Sequence, residues 1–210
     1  MLALKKPWII LLLIAALVAG FFFIPAQLLT SRESGLQSQV LAASTGETVQ
    51  GFAIADGSRQ LQFPRDQGPH PDFQTEWWYY TGNLDTADGH NFGYQLTFFR
   101  RALLAPQLVI KRSSDWATDQ VYMAHFALTD VATNSYHAFE HISRGAAGLA
   151  GAQSDPYSVW LDDWQVSQVS TNTYQLKAKE DGFAIQLSLQ NSKGFILQGD
   201  HGYSRKGPKL

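Results

Sequence analysis

From residue 74 onward, apolar and polar residues alternate with a period of two, the signature of strands that bury one face. In the stretch HNFGYQLTFFR, Phe92, Tyr94, Leu96 and Phe98 fall on one side, with Gly93, Gln95 and Thr97 on the other. In VYMAHFALTD, Tyr122, Ala124, Phe126 and Leu128 alternate with Met123, His125, Ala127 and Thr129. TYQLKAKEDGFAIQLSLQ reads as a hairpin: Tyr174, Leu176 and Ala178 lead in, Asp181-Gly182 turns, and Phe183, Ile185, Leu187 and Leu189 lead out. Asp-Gly is a strong turn signal, because the favoured two-residue hairpin needs positive φ at its central positions. DTADGHN and DVATNS join further strands in the same manner. No stretch after residue 50 carries a helical stripe of useful length. The pattern therefore predicts an all-β fold, and its many hairpin-linked antiparallel strands suggest an up-and-down barrel around a central ligand cavity.

The amino terminus breaks this pattern. Lys5 and Lys6 precede an uncharged run from Pro7 to Leu29, and a run of about 20 apolar residues suffices to cross a bilayer. The two lysines predict that the start stays cytoplasmic and the rest is exported, to the periplasm or the extracytoplasmic face of the inner membrane. Residues 1–29 read as a membrane anchor, contacting the bilayer through residues 7–29, or as a signal peptide cleaved after Ala26. Ile24, at the position where a cleavage site wants a small residue, tips the reading to an anchor. Residues 30–50, TSRESGLQSQVLAASTGETVQ, are polar and small and read as a linker to a domain over residues 51–210.

Composition narrows the chemistry. With 45% hydrophobic residues, 210 positions are enough for the core of one ordinary domain or two small ones. Sixteen basic and 18 acidic residues become 14 and 18 when residues 1–29 are set aside, since these hold two lysines and no acids; the remainder carries a net charge of -4. Nucleic acid is a poor partner for such a surface. The absence of cysteine removes disulfides, zinc–thiolate sites, iron–sulfur clusters and thiol nucleophiles. There is no GxSxG elbow and no glycine-rich phosphate loop. None of the six histidines stands in an HxH or HExxH arrangement, so no metal and no cofactor is expected.

The densest chemistry lies in FPRDQGPHPDFQTEWWYYTGNL, residues 63 to 84. On a strand, Glu76, Trp78, Tyr80 and Leu84 point one way, and Trp77, Tyr79, Thr81 and Asn83 the other. Glu76 would then share the apolar face with aromatic rings. Burial disfavours a charged carboxylate, so such a group could remain protonated, donate a proton, and leave ring faces to stabilise a cation. The alternative is structural: Glu76 pairs with an arginine, such as Arg100 or Arg144, or accepts from Tyr or Trp donors at a barrel end. Trp77 and Tyr79 are expected in a barrel core. His125, mid-strand, reads as a hydrogen-bonded wall residue or a ligand contact. The candidate set is Glu76 for catalysis, with His70, Trp78, Tyr80, Tyr94 and His125 for ligand binding.

The EWWYYTG stretch, together with GYQLTFFRR, MAHFALTD, SRGAAGLAGA, VWLDDW and GDHGYSRKGP, resembles the lipocalin-like family of carotenoid 1,2-hydratases (CrtC type) and AttH-like secreted proteins, in order from about residue 50 to the end. The resemblance implies a lipocalin-like antiparallel β-barrel, the N-terminal one of two, with a lipophilic isoprenoid or polyene ligand. In the hydratases it implies water addition across a C=C bond by protonation and capture of the cation; many relatives are known only as predicted secreted hydrolases. A non-catalytic lipid-binding or lipid-delivery barrel of the envelope is the alternative. Position 67 is Gln where the family pattern suggests His. The second lipocalin-like domain, to which the resemblance assigns a proton-donating aspartate, is absent from the 210 residues, so a fragment, a truncated product or a binding module is expected.

Overall fold

The computed structural model describes residues 50–204. The apolar run 7–29 and almost all of the expected linker lie outside them. Thr48–Leu210 is a compact unit.

Nine strands follow one another without a long helix: β1 (Thr75–Asp85), β2 (Asn91–Ala102), β3 (Gln120–Asp130), β4 (Ser135–Arg144), β5 (Ala150–Ser154), β6 (Tyr157–Leu161), β7 (Trp164–Ser170), β8 (Thr173–Glu180) and β9 (Phe183–Gln190). Among the described residues, helical structure is limited to the 3-10 turns Arg65–Gln67 and Pro106–Leu108. Each strand pairs antiparallel with its neighbour in sequence. The predicted hairpin is in place: Glu180 faces Phe183 across Asp181 (φ 33) and Gly182 (φ 87), the doubly positive turn that matches the twist of antiparallel strands. The turns at 86–90 and 131–134 link β1 to β2 and β3 to β4 as their sequences indicated.

The architecture is the expected lipocalin-like, all-antiparallel one, but the meander is split into two ladders. β1–β4 form one sheet and β5–β9 the other. Residues 145–149 break the run between them, with Ala147 (φ 51) and Gly148 (φ 75) both left-handed. Side chains take over where the ladder stops. On the β4 side, His141 stacks on Trp164 at 4.2 Å and its Nε2 lies 3.0 Å from Glu180. On the β1 side, the Tyr80 and Tyr157 hydroxyls hydrogen-bond to each other.

The expected central cavity is instead a filled core. Leu96, Phe98 and Phe126 of the first sheet meet Val159, Leu161, Trp164, Val166 and Leu176 of the second, all fully buried, and the Phe126 ring packs edge-on to Trp164 at 5.7 Å. Each such aliphatic or phenyl side chain contributes about 1.5–3 kcal/mol of transfer free energy. Open space lies at one end of the sheets, beside the segment that precedes β1.

Candidate functional site

Residue parity places the site. β1 alternates strictly between exposed and half-buried positions, with Glu76, Trp78 and Tyr80 on the inner side. Trp77 and Tyr79, expected in the core, are 64% and 65% exposed on the outer side. Their parity is opposite to that of the inner residues, which puts them on the side of the sheet away from the core cluster. Trp77 packs edge-on against Phe99 at 5.8 Å, and Phe99 against His125 at 5.3 Å.

Segment 63–73 folds over the inner end of β1. Gly68 lets it seat against the second sheet: a Cβ there would lie 2.6 Å from the Ser154 Cα, too close to be accommodated without moving backbone. Trp78 Nε1 donates to the Gln67 carbonyl at 2.9 Å, and the Tyr174 hydroxyl donates to Gln67 Oε1 at 2.9 Å. Gln67, singled out in the sequence only as a departure from the family pattern, thus ties β1 to β8.

Behind this strap lies a charged cluster. Glu76 faces Arg100 across the β1–β2 ladder. Arg100, 1% exposed, donates through Nε to Glu76 Oε2 at 3.3 Å and through Nη2 to the carbonyls of His70 and Phe73 at 2.8 and 2.9 Å. The His70 backbone N–H donates to Glu76 Oε2 at 2.9 Å. The His70 ring spans two carboxylates, with Nδ1 2.5 Å from Glu76 Oε1 and Nε2 3.4 Å from Asp66 Oδ1. Burial would raise the pKa of Asp66, but the Gln62 N–H, Arg65 and Arg59 outweigh it and hold the carboxyl well below the ordinary aspartate range. For Glu76, the apolar cage expected from the sequence is replaced by a guanidinium and an N–H donor; the arginine partner weighed as the alternative is Arg100.

Three tyrosines line the other wall. Tyr157 and Tyr174 meet edge-on at 5.9 Å. Burial pushes the Tyr80 and Tyr157 hydroxyls far above the normal phenol range, their mutual hydrogen bond lowering the one and raising the other, so both are neutral donors or acceptors at any physiological pH. Trp78, Tyr80, Tyr157, Tyr174, Leu189 and Phe195 border a cleft of about 440 Å³. A second cleft, of about 610 Å³, lies beside it against Ile54, Leu61, Phe73, Trp77 and Tyr203. His70 and Glu76 border both.

Of the residues proposed from sequence, His70, Glu76, Trp78 and Tyr80 therefore converge. Tyr94 and His125 do not. Tyr94 is on the inner face but farther along the sheet, over Gly82, where a Cβ would come within 3.0 Å of its ring. His125 is on the outer face, its Nε2 2.7 Å from Glu140. Sequence reasoning missed Asp66 and Tyr157; Tyr174 had the correct inward parity, but its partner Gln67 lies 107 residues away.

A model of the AttH-like family matches residues 54–210. The chain belongs to the AttH-like family. The crystal structure of an AttH-like protein from Nitrosomonas europaea has the same fold as this AttH-like chain, with a TM-score of 0.63 and 37% sequence identity. That match covers 75% of this chain and 46% of the other, so the chain spans less than half the length of that relative. No curated protein matches the sequence.

Proposed function

We propose that this AttH-like domain binds a lipophilic molecule of isoprenoid or polyene type in the 440 Å³ cleft between segment 63–73 and the ends of the two sheets. The observation that carries the reading is the make-up of the walls. Trp78 and Tyr80 from β1, Tyr157 from β6, Tyr174 from β8 and Leu189 from β9 converge on one space, while the hydroxyls of all three tyrosines are engaged in protein hydrogen bonds. What that wall offers a ligand is ring face and aliphatic surface, with the polar groups Asp66, Gln67, His70 and Glu76 gathered on the side of segment 63–73 and the start of β1, a mainly apolar site with a few polar groups to orient what it holds.

The binding reading is favoured over hydration catalysed by Glu76. Protonating a C=C bond requires an acid with a proton free to give, and the Glu76 oxygens are engaged within the protein: they accept from Arg100 Nε and the His70 backbone N–H, and the His70 ring Nδ1 lies 2.5 Å from Oε1. A hydratase-type reaction at this site would take its proton from another group. The same reading has the protein exported and held at the extracytoplasmic face through residues 7–29, on the strength of Lys5, Lys6 and the apolar run that follows.

Titrating the compact unit Thr48–Leu210 with a conjugated polyene fatty acid tests the proposal. Expected are saturable one-to-one binding and quenching of tryptophan emission that is largely lost in Trp78→Phe. Uptake of probe that fails to saturate, or quenching unchanged in Trp78→Phe, contradicts it.

A further inference from the structure

The loop between β2 and β3 carries a dense group of exposed apolar side chains. Over residues 103–116 it exposes Leu103, Leu104, Leu108, Val109, Ile110 and Trp116, with Ile110 75% and Trp116 60% accessible. Isolated exposed apolar residues are ordinary; six in one short loop mark an interaction surface. We propose that this loop inserts into the interfacial layer of a lipid bilayer and sets the cleft end of the domain against the membrane.

Three observations select a bilayer as the occupant. The apolar tip Leu108-Val109-Ile110 runs directly into Lys111-Arg112, and Arg101, next to last in β2, and Arg144, last in β4, flank Val121 at the same edge. Four basic groups stand against Asp115 and Asp119, the latter paired with Arg112. Exposed apolar side chains beside basic ones, with an exposed tryptophan in the same loop, is the composition of segments that lie in the headgroup region, where anionic lipid attracts the cations.

The second observation is connectivity. The loop is fastened to the first described residues of the chain: Phe52, Ala102 and Ala105 form a buried cluster, and Gln107 Nε2 donates to the Gly51 carbonyl at 3.2 Å. Position 51 is where the chain arrives from the apolar run 7–29 through residues 30–50, so a membrane-held amino terminus would enter the domain beside this loop.

The third is the position of the cleft. β1 begins and β2 ends at the same edge, Thr75 opposite Arg101 and Glu76 opposite Arg100, and Ala53 and Ile54, next to Phe52, line the 610 Å³ cleft. A lipophilic molecule leaving a bilayer at the loop would meet the clefts from this edge, along Ala53, Ile54 and Phe73. This third point rests on the proposed function; the first does not.

The native chain lacks cysteine, so Ile110→Cys in the full chain gives a single labelling site. The turn residue Val131, also exposed, lies at the other end of β3, about 35 Å away along an 11-residue strand. Val131→Cys is therefore the control. With the full chain in vesicles of phosphatidylethanolamine and phosphatidylglycerol, an environment-sensitive label at Ile110→Cys should shift to the blue and be quenched at least threefold more by spin-labelled lipid than the label at Val131→Cys. Serine at Leu108 and Val109 should remove most of that excess. Equal quenching of both labels by aqueous iodide, with none by lipid, overturns the proposal. So does a label shielded from both quenchers, which would place a protein surface over the loop. The polyene titration uses no vesicles, so failure of ligand binding and failure of membrane insertion are separately visible.

Discussion

Arg100 is the residue on which the cleft end depends. Its guanidinium is almost wholly buried; Nε donates to Glu76 and Nη2 to two carbonyls of segment 63–73, while Nη1 is buried without a hydrogen-bond partner. Glu76→Gln removes the compensating charge and leaves a buried cation, a change that costs about 3 kcal/mol or more when no new partner is found. The expected outcome is a melting temperature lowered by at least several degrees; a variant as stable as the parent would show that the pair is dispensable. Asp66 makes a prediction of opposite pH logic to that of a buried acid. Its folded-state value lies below that of the unfolded chain, so its contribution is complete above the ordinary aspartate range and is lost as pH falls below about 4. Arg59, Arg65, the Gln62 N–H and the His70 ring are the groups that face it. Asp66→Asn should flatten acid unfolding in that window while lowering stability at pH 7; parallel acid curves for the two proteins would refute the assignment.

At the scale of elements, strand parity was legible and the strap was not. Alternation sorted the residues of β1, β2, β3, β8 and β9 into two faces, because a half-buried strand shows its period directly. It separated Trp78 and Tyr80 from Trp77 and Tyr79, yet it could not tell which of the two faces would find a second layer; the outer pair is exposed for that reason. Segment 63–73 has no period to read. Its place is fixed by Gly68 against Ser154, by Gln67 between Trp78 and Tyr174, and by Arg100 beneath two of its carbonyls. These contacts join residues far apart in sequence, and none leaves a mark in the local pattern. Gly68→Ala tests this strap: the added methyl meets backbone rather than a movable side chain, and overpacking of this kind costs about 1–3 kcal/mol. A thermal melt should show that loss together with weaker polyene binding. Gly182→Ala, in the β8–β9 turn at φ 87, should cost about 1 kcal/mol without touching affinity.

For the molecule as a whole, the account joins a packed two-sheet core to a polar-backed aromatic cleft at one end. The buried cluster lies between the two sheets and the cleft at their ends, so binding is assigned to the cleft walls and folding to the sheet interior, and the two should separate under mutation. Leu189 is the residue that separates them best. It is half-buried at the end of β9, packs against the edge of the core and borders the 440 Å³ cleft; a larger side chain there takes up cleft volume. The decisive measurement is the polyene affinity of Leu189→Trp beside its melting temperature. The account predicts at least a tenfold loss of affinity, about 1.4 kcal/mol, with the melting temperature within a degree or two of the parent. Unchanged affinity in a folded Leu189→Trp would mean that the ligand, if any, binds elsewhere, and that the aromatic cluster around Trp78 and Tyr80 only closes the end of the fold.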